Sequence, residues 1–122
     1  DISKEQENIY DIVLEAQEAA LEAIGPGKNC KDIDAIARDI IGDAGYGECF
    51  GHGLGHSVGL YIHEAPRLSP SCSEILVPGM TMTVEPGIYL PGKIGVRIED
   101  LVAITNSGYD NFTASEKALT II

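Results

Sequence analysis

The chain has 122 residues, 44% of them hydrophobic and 22% charged, and a formal net charge of −11. That length supports one domain with a real core and is too short for two, and the balance of apolar and charged residues is that of a soluble globular protein. The acidity weighs against nucleic acid or an anionic membrane as a partner, no apolar run is long enough to span a bilayer, and the polar start Asp1-Ile2-Ser3-Lys4-Glu5 has no signal-peptide character, so a cytoplasmic location is expected.

Ser3 and Gln6 have the capping-box spacing of a helix start. Ile9, Ile12, Val13, Ala16, Ala20, Ala23 and Ile24 then recur every three or four residues with acids between them, which predicts a long amphipathic helix. Gly25-Pro26-Gly27 stops it. Asn29 can cap a second helix with Asp32 in its first turn and a buried stripe of Ile33, Ile36, Ala37, Ile40, Ile41 and Ala44. Gly45 and Gly47 end that helix. Much of the acid of residues 1–50 falls on these helices and reads as a solvated face.

From Gly51 the pattern changes to short β-type runs. Strands are expected at Ser57–Ile62, Met80–Val84, Gly87–Leu90, Ile94–Ile98 and Leu101–Thr105. Pro91-Gly92-Lys93 reads as a hairpin turn and Leu68–Leu76 as a loop. After the turn Asn106-Ser107-Gly108, residues 109–113 run out beyond the sheet, and 118–122 form an apolar tail docked at an edge. Helices followed by strands make an α+β domain, two N-terminal helices covering a mostly antiparallel sheet. Cys30, Cys49 and Cys72 are odd in number and have no metal-site spacing, so free, packed thiols are expected. Met80 and Met82 alternate along a strand as core residues.

All three histidines, His52, His56 and His63, fall within Gly51-His52-Gly53-Leu54-Gly55-His56-Ser57-Val58-Gly59-Leu60-Tyr61-Ile62-His63-Glu64. Glycines around them let a ligand approach the backbone, and neutral imidazole binds borderline metals and moves protons near neutral pH. The plain alternative is a Gly-rich turn with surface histidines. Two acids tip the balance. Glu85 precedes Pro86-Gly87 at the end of an apolar strand, and Glu99 closes the run Val96-Arg97-Ile98-Glu99. Alternation puts Arg97 and Glu99 on one face, which by itself is the pattern of an ordinary surface ion pair. Carboxylates in so apolar a setting are costly unless paired or metal-bound. One histidine with two glutamates suits Mn²⁺, Co²⁺ or Zn²⁺.

Gly51–Leu60 with His63-Glu64, Leu76-Val77-Pro78-Gly79-Met80, Thr83-Val84-Glu85-Pro86-Gly87-Ile88-Tyr89 and Gly95-Val96-Arg97-Ile98-Glu99-Asp100 together resemble the C-terminal part of the pita-bread metallopeptidases, in their X-Pro branch of prolidase (Xaa-Pro dipeptidase) and aminopeptidase P. The resemblance runs through the whole chain. It implies that His56, Glu85 and Glu99 are metal ligands, Glu99 bridging two divalent ions, with Mn²⁺ first and Co²⁺ or Zn²⁺ as alternatives. It implies that His52 and His63 position substrate and stabilise the tetrahedral intermediate, and that Arg97 and Tyr89 hold the ligands in place. The substrate would be a proline-containing peptide and the assembly a homo-oligomer.

The family's two aspartate ligands lie upstream of the first helix and find no counterpart here. Asp32, Asp34, Asp39 and Asp43 are on the wrong element. The chain is therefore expected to be the C-terminal half of a catalytic domain, inactive alone. It is also expected to leave Val58, Leu60, Ile88, Val96 and Ile98, or whichever strand face is turned inward, partly uncovered, so that it self-associates. Methionine aminopeptidases share the histidine loop and the Glu-Pro motif but lack the Gly-Val-Arg-Ile-Glu-Asp run. A non-catalytic binding relative, or a metal-free creatinase-like hydrolase, would not need His56, Glu85 and Glu99 together.

Overall fold

The computed structural model describes residues 3–58 and 66–113. Helix α1 spans Lys4–Ala23 and starts in a full capping box: the Ser3 hydroxyl accepts from the Gln6 amide (3.1 Å) while the Gln6 side chain accepts from the Ser3 amide (2.8 Å). Helix α2 spans Cys30–Asp43, and its cap Asn29 accepts from the Lys31 amide at 2.9 Å. Ile9, Val13, Ala16 and Ala20 of α1 and Ala37 and Ile41 of α2 are fully buried where the two helices pack against each other. Ala44, expected on the buried stripe, is exposed because it already lies past the last turn. No helix among the described residues is long and apolar enough to cross a membrane.

The strands are β1 (Gly55–His56), β2 (Arg67–Leu68), β3 (Thr81–Val84), β4 (Gly87–Leu90), β5 (Ile94–Arg97), β6 (Asp100–Ile104) and β7 (Tyr109–Asn111). Every pairing is antiparallel. The α+β prediction is met, with the described strands divided among three small ladders: β1-β2, β3-β6-β7 and the hairpin β4-β5. A bridge between Ser57 and Met82 ties the first ladder to the second. Helix α1 packs on β3, β4 and β5, and α2 on β2. Met82, Val84, Ile88 and Val102 join the helix residues in one core.

Four expectations about elements change. The strand expected at Ser57–Ile62 begins two residues earlier, at Gly55, and residues 59–65 lie outside the described part. Gly55 can enter a strand because it has no side chain; a Cβ there would overlap the Thr83 carbonyl oxygen. The segment from Leu68 to Leu76 is no free loop. Leu68 sits in β2 and both leucines are fully buried, since the main chain there is tied to the helix junction by Gly27 N to Leu76 O, Leu76 N to Lys28 O and Cys30 N to Glu74 O, each 2.8 Å. Residues 109–111 turn back as a third strand beside β6 instead of running free. Finally, Met82 is core but Met80 only half-buried. The expected tail at 118–122 lies outside the described residues.

Candidate functional site

Glu85 follows β3, and its amide donates to Leu54 O at 2.7 Å, locking the glutamate beside the histidine loop. His56 ends β1, where its amide donates to the Thr83 hydroxyl at 3.0 Å. The His56 Nε2 then stands 3.4 Å from Glu85 Oε2. On the other side of the ring, Nδ1 is 3.1 Å from the Ser57 carbonyl, which can only accept. Nδ1 therefore carries the proton, and in the neutral ring Nε2 turns its lone pair to the carboxylate. Glu85 is largely buried, its side chain 13% exposed, and Oε2 has no hydrogen-bond partner among the described residues. Two facing acceptors, one of them buried, form an arrangement that a cation satisfies. A nitrogen and an oxygen donor suit a borderline divalent metal, so these residues fit the group that the resemblance implies.

His52 is held differently. Its Nδ1 lies 2.6 Å from Gly53 O and its Nε2 2.8 Å from the Tyr89 hydroxyl, so Nδ1 donates to the carbonyl and Nε2 accepts from the phenol. Tyr89, in β4, thus fixes His52. Phe50 meets the same ring edge-on, with centroids 5.1 Å apart.

A cavity of about 360 Å³ opens between His52, His56, Arg67, Ser69, Glu85 and Arg97. Arg67 and Ser69 were not among the expected site residues. Arg67 faces His56 across the β1-β2 ladder, a register invisible in the sequence because Arg67 falls in no expected element and Leu68 opens the expected loop. Arg97 reaches the cavity from the end of β5. Glu99 lies on the exposed link between β5 and β6, and among the described residues no three His, Cys, Asp or Glu side chains stand together in a metal-holding group. The structure thus pairs His56 with Glu85 and His52 with Tyr89, with Glu99 in no metal-holding group of three among the described residues. His63 lies outside the described residues.

The loop that carries these histidines is clamped from α2. Asp34, 1% exposed, accepts from Arg38 in a two-pronged pair (2.8 and 3.1 Å) and from the Leu54 amide (3.0 Å). Arg38 also donates to Phe50 O (3.2 Å) and His52 O (2.9 Å). One helical ion pair thereby holds both ends of the stretch from Phe50 to Leu54. Asp34 is an exception to the solvated face on which much of the helical acid is expected. The signal that could have revealed it is its place beside Ile33, on the edge of the apolar stripe.

Residues 1–106 match the profile of Metallopeptidase family M24. The chain is 55% identical over 115 residues to an uncharacterized peptidase of Staphylococcus aureus, a match covering 94% of this chain and 33% of that protein. Among solved structures it resembles a prolidase from Pyrococcus furiosus (TM-score 0.90, 52% identity, 95% of this chain and 34% of that one). It also resembles an Xaa-Pro dipeptidase from Bacillus anthracis (TM-score 0.94, 48% identity, 100% of this chain and 34% of that one). An X-Pro aminopeptidase from Thermotoga maritima matches with TM-score 0.93 at 42% identity, over 100% of this chain and 35% of that one. The chain thus spans about a third of the length of the relatives it matches. The paired helices, the antiparallel ladders and the matched profile agree: this chain belongs to metallopeptidase family M24.

Proposed function

We propose that this chain is the C-terminal half of the catalytic domain of an Xaa-Pro peptidase, which hydrolyses the peptide bond before proline. The observation that carries the reading is the buried Glu85 Oε2, without a hydrogen-bond partner among the described residues and 3.4 Å from His56 Nε2. The likeness to a prolidase, an Xaa-Pro dipeptidase and an X-Pro aminopeptidase supplies the substrate class. His56, Glu85 and Glu99 would hold two divalent ions, Mn²⁺, Co²⁺ or Zn²⁺, completed by two aspartates from an upstream half. Bound metal supplies the Lewis acidity that peptide hydrolysis needs near neutral pH.

This chain's own residues shape and polarise the cavity. The Gly53 carbonyl keeps the proton of His52 on Nδ1 and Tyr89 holds the ring in one orientation, against the cavity. His63 would add a second donor to the developing oxyanion. Arg97 brings positive charge to the cavity wall, where it holds anionic ligands in place. Three unbridged cysteines fit a reducing, cytoplasmic setting.

The test compares two proteins with an X-Pro dipeptide and Mn²⁺: the 122-residue chain, and a polypeptide extended upstream of Asp1 to the length of the solved relatives. Metal-dependent turnover by the extended protein alone is the expected result. No turnover by the extended protein, or equal turnover by the short chain, would refute the reading.

A further inference from the structure

Gln17 lies in the middle of α1 and is fully buried, between Val13, Ala16 and Ala20, which are equally buried. A primary amide in an apolar stripe is costly unless its polar atoms are used. Its nitrogen is used twice. Nε2 donates to the Val84 carbonyl and to the Ile98 carbonyl, both at 3.2 Å. Its oxygen, Oε1, is buried without a partner. The orientation is nevertheless fixed, because turning the amide over would set Oε1 against two carbonyl oxygens. A group that leaves one end unsatisfied is a poor choice for stability alone.

Val84 immediately precedes Glu85, and Ile98 immediately precedes Glu99. The two carbonyls come from separate ladders, one from β3 and one from the link after β5. A second tie, Ile98 N to Pro86 O at 3.3 Å, runs between the same segments. We infer that Gln17 is a positioning residue for the metal centre: one buried amide that sets the spacing between the main-chain segments carrying Glu85 and Glu99. This inference rests on the reading of those glutamates as metal ligands.

The upstream-extended polypeptide is the protein to test, by calorimetric titration with Mn²⁺ and by thermal melting without metal. Gln17→Met keeps the length of the side chain and removes both donors. Partners that orient metal ligands typically contribute about 10–100-fold in affinity, and a loss of that size is expected here, with KM for an X-Pro dipeptide unchanged at saturating Mn²⁺. A variant that melts earlier without metal but binds Mn²⁺ within about twofold of wild type, by the same measure, would overturn the inference. Should Gln17→Met not fold, Gln17→Asn takes its place: its amide is one methylene too short to reach both carbonyls, so a loss of Mn²⁺ affinity is again expected, and affinity within about twofold of wild type would overturn the inference. Glu85→Gln and Glu99→Gln separate the two levels. Both are expected to lose Mn²⁺. If either keeps it, the metal-centre reading fails and takes the inference with it. If both lose it while the Gln17 variants do not, only the positioning role is refuted.

Discussion

When His56 is neutral, a carboxylate oxygen 3.4 Å from its Nε2 and away from water gains nothing from that neighbour. Glu85→Gln should relieve this, because its amide can donate to His56 Nε2. Metal-free protein is then expected to gain about 1 kcal/mol, the usual worth of one added hydrogen bond, and to lose metal binding. Paired thermal melts with and without Zn²⁺ check it: a variant less stable than wild type in the absence of metal would contradict the facing-acceptor geometry. Cys30 shows the opposite case, a group stabilised by staying neutral. It is fully buried at the start of α2, and burial, with Cys72 beside it, pushes its thiol up from 9.0 to about 12. The folded value lies above the unfolded one, so this contribution is complete below pH 9 and is lost as pH rises from 9 toward 12. Denaturant melts of wild type and Cys30→Ala should therefore show a steeper loss in wild type between pH 9 and pH 10.5. Parallel pH profiles would show that the thiol does not stay neutral in the fold.

At the level of elements, the helices were legible because their signals are local. A capping pair, a repeat of three to four and a Gly-Pro-Gly stop all lie within α1 or next to it. The end of the segment Leu68–Leu76 was not legible, because what ties Glu74 and Leu76 down is a set of main-chain bonds to residues 27–30, between 44 (74 − 30) and 49 (76 − 27) positions upstream. Asp34 was misread for the same reason. An Asp–Arg pair four apart on a helix looks solvated until a loop twenty residues on supplies Leu54 N. Gln17 was the more readable case, a polar residue at a stripe position between Val13 and Ala20, yet the carbonyls it serves are 67 and 81 residues away. Asp34→Ala removes three acceptor contacts, leaving the Leu54 amide unpaired and Arg38 with carbonyl partners but no carboxylate. Breaking such a buried pair typically costs about 3 kcal/mol, and a chemical-denaturation series is expected to show a loss of that order. A loss under about 0.5 kcal/mol, that of a surface pair, would mean the helix does not clamp the histidine loop.

For the molecule as a whole, the glycine-and-histidine motif, the Glu-Pro turn and the Arg-Ile-Glu run identified the family before any coordinates, and the matched profile bears that out. The half-open core was the weaker expectation. Ile88, expected to be partly uncovered, is fully buried because α1 already covers β3, β4 and β5, whereas Val96 and Ile98 are half-buried, in line with the expectation. Val58, 40% exposed, remains open; Leu60 lies outside the described residues. Light scattering should therefore show weak self-association of the chain at tens of micromolar, abolished by Val58→Ser. Association that is unchanged by this substitution would place the contact elsewhere.

The central claim is that His56 and Glu85 are two ligands of one metal centre. Anomalous diffraction from crystals of the upstream-extended protein soaked in Zn²⁺ tests it most directly. The account predicts a peak between His56 Nε2 and the Glu85 carboxylate, in coordination contact with both and with the Glu99 side chain drawn in beside it. A metal bound elsewhere, or a well-ordered His56 and Glu85 with no peak between them at saturating Zn²⁺, would contradict it.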